Sequence, residues 1–204
     1  MRRIITILTA IAILSTGIIF AANVNGSYKG FPIAHVNLNG VKITSDVPAI
    51  LFDSRTLLPV RAVTEAMNSV VQWDQRTQTA IIIKPTINMI FVGDIIDEKN
   101  GLTIKGAGSY FNTVGKNRWE NIYVEIGPME KRTYDYRIAV YNPAGKVVGT
   151  SAIESQVIDR KGLIVYLPVE NMTYSLPGNY TFKFQIKYDG NFESVGETIA
   201  VVES

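Results

Sequence analysis

Tyr180-Thr181-Phe182-Lys183-Phe184-Gln185-Ile186-Lys187-Tyr188 alternates without a fault: five large apolar residues occupy one parity, and Thr, Lys, Gln and Lys the other. Successive side chains of a strand point to opposite faces, so this stretch predicts a β-strand with one face in a core and one in water. Asp189-Gly190 follows at once and suits a two-residue hairpin turn, which returns the chain through Phe192 to Val202 as a second strand. Upstream, Ile122, Val124 and Ile126 alternate with Tyr123 and Glu125, and Tyr134 to Tyr141 leads into Asn142-Pro143-Ala144-Gly145, a turn with Pro second and Gly fourth. Gly162 to Leu167 supplies a further strand. Short strands separated by turn signals, with no helical periodicity beyond about Asn100, predict an all-β sandwich of immunoglobulin-like type over 99–204. The cysteines and tryptophan spacing of true immunoglobulin domains are absent, so the expectation concerns architecture alone.

Before this region the pattern is mixed. Val36, Leu38 and Gly40 alternate with Asn37 and Asn39, a strand closing in an Asn-Gly turn, with a second strand over Val41 to Ile43. Ala49 to Phe52 is a short apolar run ending at a polar turn, Asp53-Ser54-Arg55. Pro59 suits the first turn of a helix, Val60, Val63, Ala66 and Met67 recur on one face, and Asn68 can take the left-handed closing position. Val70 to Asp74 and Thr79 to Ile83 read as a hairpin, and Ile87 to Val92 as the strand that completes a small α+β unit. Trp73, beside β-branched neighbours, is expected to pack on the helix.

The first residues carry a different message. Met1-Arg2-Arg3 precedes an apolar or small run from Ile4 to Phe20 and then Ala21-Ala22, the order of a secretory signal peptide over 1–22. Were it retained, residues 4–20 would be a membrane anchor. Its removal takes Arg2 and Arg3, leaving 18 Lys+Arg against 18 Asp+Glu, so the exported chain is near neutral and has no electrostatic footprint for nucleic acid. With no cysteine, there is no disulfide framework and no thiolate metal site.

Three segments now form a recognisable set. Val36-Asn37-Leu38-Asn39-Gly40 is followed by Asp53-Ser54-Arg55-Thr56-Leu57-Leu58-Pro59-Val60-Arg61-Ala62-Val63, and that by Val70-Val71-Gln72-Trp73-Asp74 with Thr77-Gln78-Thr79-Ala80-Ile81. In this order they resemble the copper amine oxidase N-terminal-like, or stalk, domain of bacterial surface proteins. The resemblance implies an accessory α+β domain over 28–97 in an exported protein. It implies no oxidase activity, since the copper and cofactor of amine oxidases belong to a catalytic domain that has no counterpart here. The family usually places glycine after the helix where this chain has Met67-Asn68-Ser69, and asparagine is the next best residue there.

Chemistry is sparse. His35 is the sole histidine, so neither a three-histidine copper site nor a zinc pair can be built within one chain, and no serine sits in a nucleophile elbow. Asp94, Asp97 and Glu98 fall in a turn-like junction where solvated acids are ordinary; calcium binding is a more plausible use of them than glycoside hydrolysis. Gly106-Ala107-Gly108 is a loop without the lysine of a phosphate-binding motif. Arg55 and Arg61 are expected to pair with Asp53, Glu65 or Asp74. Trp119, with Tyr110, Phe111 and Arg118 nearby in sequence, is the better candidate for an exposed aromatic platform, against a plain strand-end core position. The expectation is a non-catalytic, cofactor-free envelope protein that binds or spaces cell wall, polysaccharide or an envelope protein, with Trp119, Tyr110 and Arg118 as ligand contacts. The alternative is an inhibitor or regulator of an extracellular enzyme, acting through loops such as Lys116-Asn117-Arg118.

Overall fold

The computed structural model describes residues 25–99, 101–108, 110–115 and 117–204, and within them leaves aside the side chains of Asp97, Glu98, Leu102, Tyr110, Phe111 and Asn117. The expected signal peptide lies outside the described residues. Contacts group the chain into two units, Met1–Ala62 and Val63–Ser204. Among the described residues, no helix is long and apolar enough to cross a membrane.

In the first unit, β1 (Ser27–Tyr28), β2 (Phe31–Ala34), β5 (Ala49–Phe52) and β6 (Arg55–Leu57) form an antiparallel sheet in that order, and β3 (Val36–Leu38) pairs with β4 (Val41–Ile43) as a separate hairpin. The expected Asn-Gly turn is present: Asn39 and Gly40 both hold positive φ, 52° and 87°, and Asn37 Oδ1 accepts from the Gly40 N–H at 2.8 Å. Asp53 and Ser54 turn the chain from β5 to β6 with φ of 47° and 59°. Phe31 and Phe52 meet edge to face across β2 and β5, ring centroids 5.4 Å apart.

The helix α1 (Val60–Ala66) begins directly after Pro59 and spans the division between the units. It ends as the sequence indicates. Asn68 takes φ 53°, its N–H donates to Glu65 O, and the Ser69 N–H donates to Thr64 O at 2.9 Å, the paired bonds of a Schellman closure.

In the second unit, β7 (Val70–Asp74) and β8 (Thr79–Ile83) form the expected hairpin. Val70 and Gln72 share one face of it and Trp73 lies on the other, so Val70 joins the core while Trp73 stays 55% exposed. The expectation that Trp73 fills a core is therefore corrected; its indole N–H instead donates to Gln75 Oε1 at 2.9 Å. A second correction concerns β9 (Ile87–Val92). Rather than completing an α+β unit, it pairs antiparallel with β13 (Asn117–Ile126), which pairs in turn with β17 (Leu163–Thr173). The acids placed in a junction turn lie instead on a strand, β10 (Asp94–Glu98), in a hairpin with β11 (Gly101–Lys105).

The opposing sheet has the order β12 (Tyr110–Thr113), β19 (Asn191–Glu203), β18 (Gly178–Tyr188), β14 (Arg132–Tyr141) and β15 (Val147–Thr150), with β16 (Glu154–Ile158) also on β14. The two sheets enclose one core, which makes this part a β-sandwich. Ile122, Val124 and Ile126 of β13 and Val165, Leu167 and Val169 of β17 are buried together with Tyr136, Ile138 and Val140 of β14 and all five apolar residues of the 180–188 stretch. Phe91 reaches across to Phe182, centroids 4.9 Å apart in a T-shaped contact. Burying each such side chain contributes about 2 kcal/mol, which explains how a chain without disulfides holds a sandwich together. Asp189 and Gly190, both at positive φ, make the β18–β19 turn. Near the start of β18 the Tyr180 hydroxyl accepts from the Ser175 and Leu176 N–H groups, each at 3.0 Å, in the manner of the tyrosine corner of immunoglobulin-like sandwiches.

Candidate functional site

Strand β13 has an inner and an outer parity, and the outer one carries the candidate site. Tyr123 lies directly across from Tyr166 of β17 on one side and from Ile90 of β9 on the other, so the three form a continuous row on the outside of the three-stranded sheet. Tyr166 is 40% exposed, and Ile90 and Ile164 are also open to solvent. Polar groups edge the row. Asn88 Nδ2 donates to Glu125 Oε2 at 3.1 Å, and Asn121 Nδ2 donates to the Gly93 carbonyl at 3.2 Å. Burial together with the nearby Glu125 charge pushes the Tyr123 hydroxyl above its ordinary value; burial and Asp94 do the same for Tyr166. Both hydroxyls therefore stay protonated at neutral pH and can donate as well as accept.

Trp119 shares this face. It sits at an irregularity between Arg118 and Glu120, where the pairing passes from Arg118↔Met172 to Glu120↔Val169. The extra residue lies on β17, where Glu170 and Asn171 stand opposite Trp119 and Asn171 takes φ 54°; β13 keeps its own alternation, so Trp119 falls on the outer side with Asn121 and Tyr123, 61% exposed, and Arg118 at the strand's start is exposed as well. The plain expectation of a strand-end core tryptophan is thus corrected in favour of an exposed aromatic. Tyr123 lies four strand steps beyond Trp119, about 13 Å along the sheet. Behind the platform Glu120 is fully buried, its Oε1 accepting from Asn112 Nδ2 at 3.0 Å and from the Tyr174 hydroxyl at 2.8 Å, which fixes the strand immediately beneath Trp119.

The residues proposed from sequence separate. Arg118 and Trp119 are adjacent on β13, whereas Tyr110 belongs to β12, paired in parallel with β19 in the opposing sheet. The side chain of Tyr110 lies outside the described residues. Tyr123 and Tyr166 join the site only in the structure: the alternation of Tyr123 with Ile122 and Val124 marks it as outward-facing, but register alone brings Tyr166 beside it.

Elsewhere, His35 Nε2 lies 3.2 Å from Lys42 Nζ on the surface of the first unit. The Asp74 carboxylate, expected to face an arginine, instead accepts from the Thr77 hydroxyl at 2.7 Å and the Arg76 N–H at 2.9 Å. Those bonds, the Thr77 hydroxyl first, hold its pKa below the ordinary value. Asp94 Oδ1 accepts from the Ile95 N–H at 2.9 Å. Among the described residues no three His, Cys, Asp or Glu side chains converge as metal ligands; those of Asp97 and Glu98 are outside that set.

No protein of curated function is significantly similar to the chain. Among solved structures, the CARDB domain of a Pyrococcus furiosus protein in complex with di-metal ions is 11% identical, covering 59% of this chain and 90% of that one at a TM-score of 0.31. At that score the likeness carries no argument. Residues 34–105 match the family described as the copper amine oxidase N-terminal domain, which in amine oxidases is a non-catalytic accessory domain. The chain thus carries, within residues 34–105, a copper amine oxidase N-terminal-like domain.

Proposed function

We propose that the chain is an exported, non-catalytic envelope protein: an α+β stalk segment followed by a β-sandwich that holds a polysaccharide on the outer face of its three-stranded sheet. The observation that carries the reading is the Ile90–Tyr123–Tyr166 row with Trp119 on the same face. Aromatic faces are electron-rich and flat, and they stack on the C–H faces of sugar rings. The flanking Asn88, Asn121 and Glu125 offer the hydrogen bonds that ring hydroxyls need. A β-sheet holds such a platform rigidly, so little ordering entropy is lost when an extended polymer lies across it. The sequence of residues 1–22 supports export, and the match to a non-catalytic accessory domain supports a module without its own chemistry.

The test is co-sedimentation of the exported protein with purified cell walls and with insoluble polysaccharides across a salt series. Binding that persists as salt rises supports stacking contacts, because charge-driven binding weakens with ionic strength. Failure to sediment with any of them, together with capture of a secreted enzyme whose activity falls on binding, would replace this reading with that of an enzyme regulator.

A further inference from the structure

A cavity of about 410 Å³ lies within the Val63–Ser204 unit, on a different part of the surface from the aromatic row. Its apolar walls include Ile83 and Pro85 at the end of β8 and Pro128 and Met129 in the loop before β14; Lys84 and Arg132 bring positive charge to it. The guanidinium of Arg132 lies 4.5 Å from the ring centroid of Tyr134 and 4.9 Å from that of Tyr188. Those two rings are almost fully buried and meet edge to face, 6.0 Å apart. The cation is thus held over two immobile aromatic faces. Among the described residues the ion pairs are Lys183–Glu197 and Lys187–Asp135, and none of their carboxylates lies within ion-pair distance of Arg132. The Tyr134 and Tyr188 hydroxyls engage part of the guanidinium and fix its orientation, and the remaining donors of its planar fork are left for a ligand.

The walls are preformed. Gly127 N–H donates to Thr86 O at 2.8 Å, Met129 N–H to Asp159 O at 3.0 Å, and the Tyr134 hydroxyl to Glu130 O at 3.0 Å, so the loop beside the cavity is tied at three points. Glu130 also lines the site and limits how much negative charge it accepts, which argues against a phosphate and for a single carboxylate. The geometry points to a binding site for a small organic monocarboxylate, its carboxylate on the Arg132 fork with Lys84 nearby and its apolar body against Ile83, Pro85 and Pro128. A free organic acid and the C-terminus of a peptide share that chemistry.

The experiment is a ¹H–¹⁵N NMR titration of the exported protein with hexanoate, hexanamide, inorganic phosphate, and a short peptide bearing either a free or an amidated C-terminus. Saturable shifts confined to residues 82–86 and 127–134 with hexanoate or the free-carboxylate peptide, absent with hexanamide and the amidated peptide, are expected; the tighter of the two identifies the source. Arg132→Gln should weaken binding at least tenfold with the remaining spectrum unchanged, and Arg132→Lys should weaken it too, since charge without the fork is insufficient. Equal shifts with hexanamide, tighter binding of phosphate, or unchanged affinity in Arg132→Gln would overturn the assignment. Because the aromatic row lies outside these segments, failure here leaves polysaccharide binding untouched, and the reverse.

Discussion

Replacing Tyr180 by Phe removes one oxygen and leaves the ring in place. That oxygen accepts from two backbone donors, Ser175 N–H and Leu176 N–H, each at 3.0 Å, while the ring stays edge to face with Tyr174 at 4.8 Å. The packing survives the substitution and the loss is confined to the two hydrogen bonds. Both are partly buried, so each stranded donor costs near the lower end of the 1–3 kcal/mol range for an unsatisfied group, and the pair about 2–3 kcal/mol. For a unit of this size a loss of 1 kcal/mol lowers Tm by about 2–4 °C, which puts the shift near 4–12 °C. Urea unfolding followed by tyrosine fluorescence, with calorimetry beside it, measures this directly. The midpoint should fall with the urea slope unchanged. A loss below about 0.5 kcal/mol would refute the corner's role in holding the β17–β18 connection, since surface substitutions commonly stay within that margin.

Gly196 of β19 has no room for a side chain: a Cβ there would come 2.5 Å from Ile87 Cγ2 and 2.8 Å from Ile87 Cβ, so Gly196→Ala should destabilise by about 1–3 kcal/mol, read by the same urea midpoint. Asp135 is held below the ordinary carboxylate value of 3.8, first by the Ser155 hydroxyl at 2.7 Å and then by Lys187. Its folded pKa being depressed, its contribution is present above pH 3.8 and lost as pH falls below that through the folded value; Asp135→Asn should flatten that limb of a stability-against-pH curve. At the alkaline end burial pushes Tyr136 and Tyr188 up to about 12. These groups favour folding below pH 10 and lose that contribution as pH rises toward 12, so tyrosinate absorbance should show a late-titrating fraction that shrinks in Tyr136→Phe and shrinks further when Tyr188→Phe is added.

Much of the local structure can be read from the residues. The alternation over 180–188 and the Asn39-Gly40 and Asp189-Gly190 turns depend only on neighbours in the chain, as does the Asn68 closure, and each forms where local rules put it. Destinations are a different matter. The period of Ile87–Val92 shows a strand but not which sheet receives it, and its pairing with β13 depends on contacts some thirty residues away. Trp73 illustrates the same limit: period two says it opposes Val70, not which of the two faces meets a core. Trp119 has the outward parity of Tyr123, but parity alone does not say whether a strand end is covered by a neighbouring segment or left open to solvent, and that depends on the register with β17. The row of Tyr123, Tyr166 and Ile90 joins three segments of the chain and exists only through register.

If the sandwich binds a polysaccharide by stacking on its outer sheet face, removing the stacking rings must abolish wall binding without unfolding the protein. The measurement compares the wall-bound fraction of the exported protein at high salt with that of a variant combining Trp119→Ala, Tyr123→Ala and Tyr166→Ala. All three side chains lie on the solvent side of the sheet, so far-UV dichroism should be unchanged. At about 1 kcal/mol or more per lost aromatic contact, affinity should fall at least a hundredfold. Binding equal to that of the unaltered protein, with the fold intact, would rule out stacking on this face.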